Sequence, residues 1–228
     1  MKFWLQEIGR LARMVGAFAV CAFGIYLSIH ANVGLAPWDA FAVGLAGITG
    51  KTYGLMNILT GLSVMAISVG FFREKFGVAT VLNTLLIGTG VDILESFNLV
   101  PYLQSFGPGV LMMLVGQFFM CVGTVLYIPI GMGGGPRDSL MLALARRFPN
   151  ARIGLIRGGI EGAVLFCGWL MGAPVGIGTV MAVFGISSLL QFTCFLFRSN
   201  LKGTVHESCL GTLRRWRNHI TAGVADAR

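Results

Sequence analysis

Two short stretches of this chain combine glycines, a proline and a carboxylate: Gly34-Leu35-Ala36-Pro37-Trp38-Asp39, and Gly131-Met132-Gly133-Gly134-Gly135-Pro136-Arg137-Asp138. Glycine breaks a preceding helix, and proline suits the first position of a new one, where its missing N–H is no loss. An Asp two residues later falls in the first turn and complements the positive helix end. Such a terminus offers unpaired N–H groups to a ligand. Pro37, Trp38, Asp39, Gly134, Gly135, Pro136, Arg137 and Asp138 are therefore candidate substrate-binding or coupling residues. The alternative is a pair of interfacial turns in which each Asp serves only to start a helix. The second stretch is no P-loop, because the Gly-Lys-Ser/Thr ending is missing.

Other polar residues stand inside apolar runs, where an ionisable group has a task or a partner. Arg157 and Glu161 are four apart, on one helix face, so they are placed to pair. Glu161 is the deeper of the two and reads either as a proton or substrate carrier or as half of a structural pair. Asn57 stands early in its run, as Arg157 does in the matching run of the second half. Asn83 and Asp92, with Thr80 and Thr84, form a candidate polar stripe. His30, at the end of the first run, is expected to face water.

The chemistry of soluble enzymes is missing from the sequence. There is no HExxH or GxSxG, and no paired carboxylates at glycosidase-like spacing. The three histidines and five cysteines of the chain form no ligand cluster and no CxxC. No catalytic residue, cofactor or metal is expected.

The two glycine–proline stretches belong to a longer duplication. Asp39 and Asp138 differ by 99 in number, and the same offset pairs Met14 with Met113, Gly24 with Gly123, Thr80 with Thr179 and Ile87 with Ile186. An internal repeat of this length takes precedence over other readings of the sequence. The chain has 228 residues, 55% hydrophobic and only 11% charged, against about 25% in soluble domains. It is a polytopic membrane protein on composition alone. Its net charge of +8 fits basic residues gathered on one side of a bilayer, with no nucleic-acid partner required.

A span needs about 20 apolar residues. Six stretches meet or approach that: 13–31, 54–72, 77–95, 109–130, 153–172 and 176–197. The expected fold is therefore all-α, with six transmembrane helices as two inverted three-helix repeats. Each repeat has a half-helix after its first span, too short to cross. The boundaries are a cytoplasmic N-terminus (1–12), the first repeat (13–97), an extracytoplasmic linker (98–108), the second repeat (109–198) and a basic cytoplasmic tail (199–228). Lys2, Arg10 and Arg13, then Arg73 and Lys75, then Arg137, Arg146, Arg147 and Arg152, then Arg198, Lys202 and the tail arginines all fall on one side, which places both termini in the cytoplasm. The tail reads as a helix lying on anionic lipid or as a solvated extension.

The repeated Gly-x-x-Pro-x-Asp motif, the span pattern and Gly133-Gly134-Gly135-Pro136-Arg137-Asp138 together resemble the YczE/YyaS/YitT group of bacterial membrane proteins, over about residues 10–198. The resemblance implies a place in the bacterial inner membrane and export of small amphipathic compounds. It carries no catalytic residue over. Repeats of odd span number turn one copy upside down, an architecture of many transporters. The leading expectation is a proton-coupled secondary transporter of an unknown small molecule, with lipid as its surroundings and a second copy of the chain as a possible partner. A channel, or a membrane scaffold for a biosynthetic or signalling complex, are the alternatives.

Overall fold

The computed structural model describes residues 2–150, 153–199 and 207–225, and among these every regular element is helical. In order they are α1 (Lys2–His30), α2 (Pro37–Thr49), α3 (Tyr53–Phe72), α4 (Val78–Phe97), α5 (Phe106–Tyr127, extended by a 3-10 turn over Ile128–Ile130), α6 (Pro136–Arg147), α7 (Ile153–Leu170), α8 (Ile177–Leu196) and α9 (Cys209–Ala225). Arg152 and Lys202, counted among the one-sided cations, lie outside the described residues, as does the side chain of Asp138.

Among the described residues, five helices are long and apolar enough to cross a bilayer: α1, α3, α4, α5 with its 3-10 extension, and α8. The sixth predicted span, α7, is not among them. It has 18 residues, about 27 Å of helix, and it carries Arg157 and Glu161. The outer surface is apolar over much of the molecule. Phe71, Phe184 and Phe195 are each more than three-quarters exposed, as suits a surface wetted by lipid tails.

The two predicted half-helices exist. α2 and α6 have 13 and 12 residues, roughly 20 and 18 Å, too short to span. Each starts on its proline after an extended residue, Ala36 or Gly135, as the sequence pattern requires.

At the centre, α1 crosses α5. Met14, Phe18 and Cys21 are buried there with Tyr127, and Cys21 Sγ lies 3.8 Å from the Met120 carbonyl. α4 packs on α1, and α8 packs on α5. The half-helices reach across: α2 packs on α7 and α6 on α3. One hydrogen bond recurs at the repeat offset, with Ala79 N donating to Met132 O and Gly178 N to Val33 O, both 2.9 Å.

The N-terminal segment ahead of the first predicted span is already helical, because α1 begins at Lys2. Its Glu7 is 4% exposed, yet well satisfied: Arg10 lies at 2.9 Å, Arg215 at 3.0 Å, and Trp216 Nε1 donates at 2.9 Å. α9 is thus docked on α1, by partners more than 200 residues away that no local pattern reveals. The segment before α9 also ties down two loops. Glu207 N donates to Gly131 O at 2.7 Å and Cys209 N to Phe76 O at 2.6 Å. Replacing Glu7 with Ala removes two charge-assisted bonds, so the undocked fraction of α9 should rise at least about tenfold. Trypsin cleavage at Arg214 and Arg217, followed by mass spectrometry, is expected to quicken accordingly.

His30 also differs from expectation. It is 1% exposed rather than in water, stacked on Tyr102 at 4.1 Å, with Nδ1 3.0 Å from the Tyr26 carbonyl. The 98–108 linker folds back over the end of α1, where Leu103 N donates to His30 O at 2.9 Å. Burial and the neighbouring Glu95 carboxylate push the Tyr102 phenol up to about 12, so it stays a donor to Glu95.

Candidate functional site

The loops before α2 and α6 are fixed by glycines that nothing else replaces. Gly34 and Gly133 have φ of 121° and 127°, a region L-residues rarely enter. Each also presses on the start of the other half's last span. A Cβ on Gly34 would stand 2.7 Å from Gly176 N and 2.8 Å from Thr179 Oγ1; one on Gly133 would stand 2.8 Å from both Gly77 Cα and Thr80 Oγ1. The matched threonines complete the junctions. Leu35 N donates to Thr179 Oγ1 at 3.1 Å, and Thr80 Oγ1 donates to Gly134 O at 2.6 Å.

These junctions carry the starts of α2 and α6 to one cavity of about 250 Å³. Pro37, Trp38 and Asp39 line it from the first half, and Gly135, Pro136 and Arg137 from the second. Asn57, Asn83, Arg157 and Glu161 line it as well. Ten of the thirteen sequence candidates therefore meet around one space. Between them lie apolar walls from Ile25, Ile87, Met120, Ile160, Val183 and Ile186.

Arg137 links the two halves. Its Nη2 donates to Asn57 Oδ1 at 3.0 Å and lies 3.8 Å from Asp39 Oδ1, while the guanidinium sits 5.2 Å over the Trp38 ring. So Trp38 and Arg137, which hold the same place in the two repeated motifs, form a cation–π pair. Asp39 is 2% exposed and accepts from Tyr53 OH at 3.0 Å. Tyr53 escaped the sequence reading: it opens α3, and its place in the repeat is taken by an aliphatic residue, so no pattern marked it. Arg157 and Glu161 do pair, Nε to Oε1 at 2.8 Å.

Three candidates stand apart. Gly134 shapes the loop behind the cavity through its carbonyl. The side chain of Asp138 lies outside those described. Asp92 does not reach the cavity but holds the start of α3, accepting from Thr52 Oγ1 at 2.6 Å and Gly54 N at 2.7 Å. Asp92→Ala should lower stability by about 1–2 kcal/mol, the range for a lost helix cap, measured as a shift in thermal unfolding. Binding in the cavity should be unchanged.

The sequence matches the family model described as "Family of unknown function (DUF6198)" over residues 8–194. The chain belongs to that family. Relatives of this DUF6198 chain include "Uncharacterized membrane protein YczE" of Bacillus subtilis (strain 168), 31% identical over 176 residues, which are 76% of this chain and 80% of the relative. An "Uncharacterized protein" of Haemophilus influenzae is 29% identical over 189 residues, 83% of this chain and 85% of its own. "Uncharacterized protein YyaS" of Bacillus subtilis (strain 168) is 26% identical over 184 residues, 80% and 87%. The resemblance read from the repeated motif is thereby borne out. No solved structure matches this DUF6198 chain.

Proposed function

We propose that the chain is a secondary transporter of the bacterial inner membrane that exports a small molecule in exchange for protons. In this reading α7 completes six spans, arranged as inverted 3+3 repeats with both termini in the cytoplasm. Support for α7 as a span comes from its apolar surface, with Leu155, Phe166, Trp169 and Leu170 all more than half exposed.

The observation that carries the proposal is the shared cavity at the starts of both half-helices. Transporters of inverted-repeat design bind substrate between the repeats, at the ends of broken or short helices. A difference between the halves favours a carrier over a static pore. α3 lies close along α4, with Gly54 and Gly88 backbones in contact and Asp92 closing the end. The matching pair, α7 and α8, makes no more than marginal contact among the described residues. The position of Gly61, which sits tight against Thr84, corresponds to Glu161 in α7. A charged pair thus props open one half where small residues close the other. A cavity sealed on one side and parted on the other is what alternating access demands.

Glu161 is the foremost coupling carboxylate, with Asp39 and Asp138 behind it. Purified full-length protein in proteoliposomes tests the proposal, with labelled anionic, cationic and neutral solutes offered with and without a pH gradient. Solute accumulation driven by the gradient is the expected result. Flux indifferent to the gradient would make the protein a channel, and absence of flux would favour a scaffold. Glu161→Gln is expected to abolish gradient-driven accumulation, at least tenfold, while solute exchange at equal pH persists. Full accumulation by that variant would remove Glu161 from coupling.

A further inference from the structure

We infer that the cavity selects a small organic anion, a carboxylate on an apolar body, whose charge is met by Arg137 and Arg157. The inference rests on the transporter reading for its physiological use, though binding itself does not require transport.

All four members of the two ion pairs line the cavity, and within each pair the cation is the more exposed member. In the Arg137–Asp39 pair the guanidinium side chain is 35% exposed and the carboxylate 3%. In the Arg157–Glu161 pair the values are 51% and 21%. Both pairs turn their cation outward and bury their anion, although the four charges sum to zero. Asp39 already accepts from the Tyr53 hydroxyl, and Glu161 from Arg157. The Trp38 face, which would otherwise attract a ligand cation, is covered by Arg137. A cationic ligand would have to displace arginine from each of these partners. An anion meets two guanidinium groups whose planar forks suit a carboxylate.

The rest of the wall sets the body of the ligand. Ile25, Ile87, Met120, Ile160, Val183 and Ile186 offer apolar surface. About 250 Å³ is room for an aromatic or branched acid of amino-acid size, not for a polymer or a large lipid. Asn83 is a neutral polar group on the wall suited to a second ligand hydroxyl or carbonyl.

The test uses full-length protein in nanodiscs of zwitterionic lipid, titrated calorimetrically with 4-phenylbutyrate, its neutral amide, and 4-phenylbutylammonium. The expected result is carboxylate binding at least about tenfold tighter than the amide, with the ammonium weakest, since each charge-assisted hydrogen bond carries about that factor. Arg157→Gln, on the more exposed chain and so least apt to disturb folding, should weaken the carboxylate about tenfold and leave the amide unchanged. Arg137→Gln should do the same. Equal binding of acid and amide, tighter binding of the ammonium, no binding of any probe, or indifference to both substitutions would overturn the inference. Carboxylate binding without proteoliposome flux would uphold the site and sink the transporter, whereas flux confined to cations or neutral solutes would do the reverse.

Discussion

Gly133→Val is expected to prevent the protein from reaching its folded state in the membrane, while Gly134→Ala, one residue away, is expected to be nearly silent. The contrast follows from local geometry. At Gly133 a side chain faces φ of 127°, which costs about 1–3 kcal/mol, and must also intrude on the Gly77 backbone and the Thr80 hydroxyl, an overpacking cost of about 1–3 kcal/mol. The sum is comparable to much of a typical domain's net stability of about 5–15 kcal/mol. Gly134 has an ordinary φ and open space where a Cβ would go. Gly34→Val should be as damaging as Gly133→Val, because Gly34 has the same backbone and meets Gly176 and Thr179. Membrane-fraction yield and fluorescence-detected size exclusion would read all three. Equal yields for Gly133→Val and Gly134→Ala would show that the junction is not closed as described.

The second large effect concerns the Arg137–Asp39 pair. Removing one member of a buried ion pair costs about 3–5 kcal/mol, because the other is left buried and uncompensated. Arg137 is partly exposed and stands 3.8 Å from Asp39, so the expected loss for Arg137→Leu is smaller, about 2 kcal/mol. Asp39→Leu spares the reachable cation and removes the buried anion. The double variant should therefore be more stable than Arg137→Leu alone, a positive coupling that a double-mutant cycle of unfolding would measure. Strict additivity would mean that Asp39 is held by Tyr53 alone. Arg137→Leu removes the bridge between halves, so ligand binding should fall; Asp39→Leu leaves Arg137 on Asn57 and Trp38, so binding should persist.

Much of this arrangement was legible in the sequence because the duplication repeats its own evidence. Pro37 and Pro136 fixed where two helices start, and the flanking glycines fixed where the preceding ones stop. The pairing of Thr80 with Thr179 foreshadowed the two loop-to-span junctions, and the spacing of Arg157 and Glu161 foreshadowed their bond. What escaped is what depends on contacts between distant segments. The role of Glu7 had no sequence signal, since the Arg215 and Trp216 that satisfy it come from the far end of the chain. His30 looked solvent-facing because the cover supplied by Tyr102 belongs to a linker with no periodicity. Asp92 looked like part of a polar stripe, whereas it caps a helix that begins forty residues earlier.

The account stands on the two halves lying upside down relative to each other with their half-helices converging. Exposed Lys51, after α2, and exposed Asn150, after α6, report this directly. With the five native cysteines replaced, Lys51→Cys and Asn150→Cys would each be treated in intact cells with a membrane-impermeant maleimide. Labelling of Lys51→Cys alone, with Asn150→Cys labelled only after the cells are opened, is the predicted result. Labelling of both from outside, or of neither, would put both half-helices on one side and contradict the account.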